Sequence, residues 1–517
     1  MIISDSWLQT EYGIGFVKYL ADNFKIHAII DISTRVFPVP LIGACIILLE
    51  KCSNSEERDS NITSLLFLSG KKVLDIDAIL KAIEEAKRGA VFRGEGLFVN
   101  VLKQYDLRNI SSKPITFFFK VEIILQLMES TEKVVRLRDM FQPSEGNTIW
   151  SVYASMKGRG AGVGGEGFYY ISEDKAKEHG LDKYVGSYLR PLISSPDRLK
   201  YFVFTENDWS KKKEFMFVAN KPFTQLPPEV QEYVKLGESS ITITKGPNRG
   251  KPVSESSVAK IRKGLGKVEV LGRIATIHDW YDLGGVIEAP IYAAYYFRYW
   301  VRFALAKYQC ALDHDVLTLI PRQEVHFDEI ELKALLAYLN SSFSQLQAEV
   351  RGRTVGGVAL LGLDIGPLSD FVILDVKKLP REDLEELARL FDELEDEARK
   401  LGGADAVENV FGSELAKDLT GREDVQEGIQ GLFNTVIKKI DEKVAAILEA
   451  EALVERVRAL VVELARRRLA RAAEAKPGAL KGSEELLHRP KSKGSKRKSK
   501  KGRGDEAEPS TRLDDFT

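Results

Sequence analysis

The sequence predicts an incomplete α/β sheet, then a mainly β (α+β) domain, then a helical segment, in that order along the chain. Three observations carry this. The opening residues read as the interior of a fold, with Ile2-Ile3 as the end of a buried strand and Ser4-Asp5-Ser6-Trp7-Leu8 as the turn after it. Residues 146–380 hold short β-like runs, many glycines, clustered aromatics and loops rich in Lys and Arg. From Pro380 the apolar residues recur on one helical face.

In chain order, Tyr12, Phe16, Leu20 and Phe24 stand at helical spacing, and strands follow over 26–32, 41–49 and 62–68. These make residues 1–70 the distal part of a doubly wound, Rossmann-like sheet. The cofactor of such a fold sits on its early βα turns. A sheet entered at its fourth or fifth strand is therefore expected to carry only part of its chemistry. Residues 71–145 connect, with helices expected over 75–87 and near 121–128. In 146–380 the β-like runs are 200–205, 214–219, 240–244 and 316–320. Within 381–475, Leu384, Leu387, Leu390, Phe391 and Leu394 form one stripe, and Leu432, Val436, Ile440, Val444 and Ile447 a second, in a helical stretch over 422–473. A packed hairpin or small bundle is expected. Residues 476–517 read as a disordered tail, with nine Lys/Arg in 489–503 and an acidic end.

A chain of 517 residues has room for about three domains. Its 44% hydrophobic and 29% charged residues are those of a soluble protein, and a net charge of −1 averages opposing regions. No apolar run approaches the ~20 residues of a membrane span, and no signal-peptide pattern opens the chain. Cys45, Cys52 and Cys310 form no CxxC or Cys/His pattern, which argues against structural zinc and for a reducing, cytoplasmic compartment. Asp313, His314 and Asp315 adjoin, but on one strand they would face alternate sides, so no metal site is expected.

The order of strand, Ser6-Trp7-Leu8, helix, strand, Val36-Phe37-Pro38, strand resembles the second half of the catalytic domain of adenine-N6 DNA methyltransferases. The resemblance continues into a C-terminal target-recognition domain of the restriction–modification type. Its segments are the Gly-rich turn Lys157-Gly-Arg-Gly-Ala-Gly-Val-Gly-Gly-Glu-Gly-Phe168, Arg190-Pro191-Leu192, Tyr233-Val-Lys-Leu-Gly-Glu238, Trp280-Tyr-Asp-Leu283, Leu339-Asn340-Ser341-Ser342 and Glu349-Val-Arg-Gly-Arg353. It covers roughly residues 1–465. The Gly-rich turn departs from the pattern by lacking Thr and Asn.

Methylating an adenine amine takes a Gly-rich strand–turn for S-adenosylmethionine, an Asn/Asp-Pro-Pro-aromatic tetrapeptide for the amine, and a flipped base held by stacking. The chain has no such tetrapeptide, its only Pro-Pro being Pro227-Pro228, and the donor-binding strands are missing. The donor is thus expected to bind outside this chain, on a separately encoded N-terminal half, and the chain alone is expected to be inactive. The resemblance makes Phe37 the aromatic that stacks on the flipped adenine; the alternative is that it packs at the entry to a core strand.

The partner expected is double-stranded DNA, since loops of Lys and Arg hold phosphates and Arg, Asn or Lys read base edges. The candidates are Lys157, Arg159, Lys245, Asn248, Arg249, Lys251, Arg351 and Arg353, with Lys260, Arg262 and Lys263 behind them. Lys245-Gly-Pro-Asn-Arg-Gly-Lys251 stands out as a basic Gly/Pro loop, whereas an Arg pair such as Arg351 and Arg353 also suits local carboxylates. Tyr292, Tyr295, Tyr296, Phe297, Tyr299 and Trp300 read as core. Three rivals remain: a non-catalytic specificity subunit, the remnant of a broken gene, and a nucleic-acid scaffold working through its basic tail.

Overall fold

Apolar residues in the runs from Phe24 to Leu68 build the centre of a six-stranded mixed sheet. The computed structural model describes residues 1–32, 43–68, 76–88, 92–94, 97–110, 113–158, 165–355 and 359–473. Phe37, Arg159 and the basic tail lie outside them. Strands β1 (Ile2–Ser4), β2 (Phe24–Ile32), β3 (Ala44–Lys51), β4 (Ile62–Leu68), β5 (Phe92–Gly94) and β6 (Leu97–Lys103) lie in the order β1-β3-β2-β4-β6-β5. β3 runs antiparallel to both β1 and β2, and β4 runs parallel to β2. The ends of β1, β2 and β4 therefore share one edge of the sheet.

The helix Tyr12–Asn23 covers this sheet with only part of the face expected: Leu20 is buried and Phe16 half-buried, while Phe24 already belongs to β2. Its buried residues are Gly13, Val17, Leu20 and Ala21, while Tyr12 is 61% exposed. The cause is a close approach: a Cβ on Gly13 would stand 1.7 Å from the Trp7 carbonyl oxygen. Trp7 itself is buried and meets Phe16 edge-on at 5.2 Å. Gly13→Ala should push the Ser6–Leu8 turn off the helix and lower the unfolding free energy by about 1–3 kcal/mol, measured by denaturant titration. An unchanged midpoint would mean that the turn yields freely.

The helical part begins well before Pro380. Asp328 and Glu331 form a capping box for the helix Glu329–Leu339, and Ser341 caps Ser342–Arg351. Between them Asn340 clasps the backbone of Phe303, accepting from its N–H at 3.0 Å and donating to its carbonyl at 2.9 Å. Ser342 donates through its N–H and hydroxyl to buried Asp441, both at 2.7 Å, and Arg458 reaches the same carboxylate. Around this pair pack Arg381–Lys400, Val436–Leu448 and Val454–Ala473. The helical stretch expected over 422–473 divides into two main helices, with Glu449 between them in the left-handed region (φ +56°).

A second lobe lies between residues 141 and 321. A four-stranded sheet orders Ala311–Leu312, Leu189–Ile193, Glu214–Phe217 and Tyr170–Ser172. A five-stranded one orders Val203–Phe204, Phe303–Ala306, Ile291–Ala294, Val316–Pro321 and Phe141–Glu145. A separate pair, Gly266–Val270 with Arg273–Ile277, forms a ribbon. One hydrophobic core joins the first sheet to the C-terminal helices, and a second fills this lobe. The aromatics from Tyr292 to Trp300 are core, with only Tyr296 half-buried. Among the described residues, no helix is long and apolar enough to cross a membrane.

Candidate functional site

The edge where β1 and β2 end gathers charge that no local pattern announced. Asp5 follows β1, and Asp31 is the penultimate residue of β2. Both reach Arg467 of the last helix, its Nε donating to Asp31 and its Nη2 lying 3.8 Å from Asp5. All three are buried. Asp5 donates its N–H to the Gly43 carbonyl at 3.1 Å, and a Cβ on Gly43 would meet the Asp5 carboxylate at 2.4 Å. Asp31 and Gly43, which flank the 33–42 segment in sequence, thus both adjoin this ion cluster.

In the second lobe three segments far apart in sequence meet on Phe168. Its ring stacks on Tyr233 at 5.1 Å and lies 5.0 Å from Trp280. The Tyr233 hydroxyl donates to the Phe168 carbonyl at 2.7 Å, and Trp280 Nε1 donates to Glu238 at 3.1 Å. Gly237 permits the contact, since a Cβ there would stand 2.5 Å from Trp280. The C-terminal end of the Gly-rich turn is therefore anchored. Asp282, fully buried, locks the turn after Trp280 by accepting from His278 N–H and Gly284 N–H at 2.9 and 2.6 Å. Burial pushes its carboxyl up.

Beside Gly165 and Glu166 opens a recess of about 90 Å³ lined by Glu145, Trp150, Tyr169, Arg262 and His314. Arg262, one of the secondary DNA candidates, does not face solvent. Its Nε donates to the Trp280 carbonyl at 2.8 Å, its Nη2 to the Tyr169 hydroxyl at 2.8 Å, and its guanidinium lies 5.5 Å from the Trp150 ring.

Asp313, His314 and Asp315 occupy the turn between two strands, not one strand, and this overturns the premise that they face apart. Their ligand atoms all lie within 4.8 Å of one another. Asp313 is already engaged: it accepts from the Tyr170 hydroxyl, from Asp315 N–H at 2.9 Å, and lies 3.0 Å from His314 Nδ1. A metal ion would have to displace these hydrogens. The hydrogen bond to Asp313 raises His314 to about 9, against the effect of burial. A histidine that holds its proton more tightly when folded stabilises the fold fully below its unfolded value of 6.5, and loses that contribution as pH rises through about 9. Half the side chain is exposed, so screening leaves about 1 kcal/mol. Urea titrations across this window should show that decline, and His314→Gln should remove it; a variant with the same slope would place the titration elsewhere.

The predicted DNA contacts divide. Lys245, Arg249 and Lys251 are exposed on the loop after Ile243, and Lys157 is exposed at the end of the helix Ile149–Met156. Lys245 lies 3.6 Å from Glu166, and Asn248 donates to Ser257 at 3.3 Å, pinning the loop to the helix Ser257–Lys263. Arg351 and Arg353 stand apart from these. Arg351 lies 3.5 Å from Glu129 and burial lowers its affinity for its proton; Arg353 lies 3.4 Å from Asp364. Both thus sit beside local carboxylates.

No family model and no curated protein matches the chain. Among solved structures it is similar to the type IIG restriction endonuclease BpuSI, at 13% identity and a TM-score of 0.42. The match covers 90% of this chain and 47% of that one, so the chain spans about half that enzyme's length.

Proposed function

We propose that the chain is the target-recognition and base-stacking part of a site-specific adenine-N6 DNA methyltransferase of the restriction–modification kind. The observation that carries this reading is the pairing of β1 with β3. Ile3 stands opposite Cys45, so the strand that leads into the Ser6-Trp7-Leu8 turn and the strand after Val36-Phe37-Pro38 adjoin in one sheet. The strand before the first of these segments and the strand after the second are thus neighbours in the sheet. Ligands of open α/β sheets bind beyond the carboxyl ends of strands, the edge at which Asp5 and Asp31 stand; Phe37 lies in the segment of sequence between β2 and β3. In this reading the sheet is the distal part of a Rossmann-like one. Phe37 stacks on an adenine flipped from the duplex, and Lys157, Lys245, Asn248, Arg249 and Lys251 hold the DNA.

S-adenosylmethionine would supply the methyl group. The described end of the Gly-rich turn lacks the strand–turn–long helix that would hold it: Gly165 opens a four-residue helix, Glu166–Tyr169, followed by a short strand. The reading therefore assigns the donor to a separately encoded half, whose sheet would continue across β1, the outermost strand on that side.

The test begins with selection of bound duplexes from a randomised library by the full chain. An enriched site with an adenine at a fixed position is expected. Co-expression with a reading frame that carries a Gly-rich donor motif and an Asn-Pro-Pro-aromatic tetrapeptide should then methylate that adenine at N6, and Phe37→Ala should lower the transfer. Specific binding without methylation would leave a non-catalytic specificity subunit. Binding without sequence preference would end the reading.

A further inference from the structure

The ribbon Gly266–Val270/Arg273–Ile277 pairs with no third strand among the described residues. Its register sorts its side chains. Val268 faces Ala275 on the inner side, where Val268, Val270 and Ile277 belong to the core of the lobe. Lys267 faces Thr276 and Glu269 faces Ile274 on the outer side, and all four are exposed. Leu271 and Gly272 both have positive φ, +52° and +70°, the turn whose twist matches a two-stranded ribbon. The tip is seated: a Cβ on Gly272 would stand 2.3 Å from the Gln323 amide oxygen.

An isolated hairpin is marginal in water. This one is held by its inner face and its tip, so its outer face is presented rigidly. That face is unusual, because Ile274 is 74% exposed, the highest among the exposed large apolar residues described. The surroundings are basic. Residues 245–277 hold eight Lys/Arg and two Glu, and Lys260, Lys263, Lys267 and Arg273 are exposed. The ribbon turn also shares a recess with Lys157 and Arg322. Paired strands fit the ~12 Å major groove of B-DNA, where lysine suits guanine, threonine suits either edge, glutamate accepts from cytosine and an apolar side chain meets the thymine methyl.

We infer that this ribbon enters the major groove of duplex DNA and reads bases through Lys267, Glu269, Ile274 and Thr276, while the loop 245–251 holds phosphates. The inference rests on the proposed DNA-binding function and goes beyond it in naming the reading element. None of the four side chains is in the core, so substitution leaves the fold intact, which circular dichroism checks.

The test compares Lys267→Ala, Ile274→Ala and Thr276→Ala in the full chain, by fluorescence anisotropy on the selected duplex and on a scrambled one. Each variant should weaken binding to the selected duplex by about 5- to 100-fold, leave the scrambled duplex unaffected, and relax the enriched motif at one or two positions. An unchanged motif and affinity would overturn the ribbon's role while leaving DNA binding in place. Equal losses on both duplexes would make it a phosphate contact and also overturn base reading. Absence of duplex binding by the unsubstituted chain would remove the underlying function as well.

Discussion

Arg468→Ala should lower the unfolding free energy by about 3–5 kcal/mol, because it strands a buried charge. Arg468 and Glu349 are both buried and meet through two bonds, Nη2 to Oε1 at 2.6 Å and Nε to Oε2 at 3.1 Å. The guanidinium also donates to the carbonyls of Ala359, at 2.6 Å, and Arg298. Removing it leaves the buried Glu349 carboxyl group with little beyond the amide of Gln345, 3.1 Å away. The double variant Arg468→Met, Glu349→Leu removes both charges and fills the space, so it should recover most of the loss. Chemical denaturation of the three proteins tests this. A single variant as stable as the parent would mean that water reaches the pair. The next residue, Arg467, holds Asp5 and Asp31, so two neighbouring arginines tie the last helix to the helical core and to the sheet edge.

Local elements were legible in the sequence; these long-range clamps were not. The strand expected over 62–68 is found as such, and 26–32 lengthens only to Phe24, because continuous apolar runs specify buried strands. The helix over 121–128 likewise holds, ending at Glu129. The run 240–244 forms only a single bridge, Thr242 with Pro252; just Ile243 is buried there, and the Gly-Pro loop turns the chain away. The helix Ser342–Arg351 escaped notice because its buried residues include Ser342, Gln345, Gln347 and Glu349, so it shows no apolar stripe. The ion cluster at the sheet edge joins residues 436 positions apart, which no local pattern encodes. The ribbon left only a partial signal: Val268 and Val270 alternate with Lys267 and Glu269, but Arg273-Ile-Ala-Thr-Ile277 does not alternate and Leu271-Gly272 is not a usual hairpin turn pair. The basic loop 245–251 was legible since Gly and Pro at that density exclude core, and its three cations are indeed exposed.

Those cations give the second large effect. Replacing Lys245, Arg249 and Lys251 together by alanine should weaken duplex binding about 100- to 1000-fold at 0.1 M salt and make the plot of log affinity against log salt shallower by about 2.7, as loss of three phosphate contacts requires. The loss should be the same for selected and scrambled duplexes, because phosphates carry no sequence. Existing contacts do not hold the loop back. Lys245 is exposed and lies 3.6 Å from the half-buried Glu166, a pair open to solvent on the lysine side and worth about 0–1 kcal/mol, and among the described residues the Lys251 ammonium reaches the Asn248 amide oxygen at 3.5 Å. A matched control is Lys378, Lys400 and Lys438, exposed cations that pair with Asp375, Glu397 and Glu442 in the helical part. Their replacement should leave both affinity and slope unchanged. Equal losses from the two triples would mean that net charge alone drives association. A loss confined to the loop would localise the phosphate track beside the ribbon, where the exposed side chains that could read bases already stand.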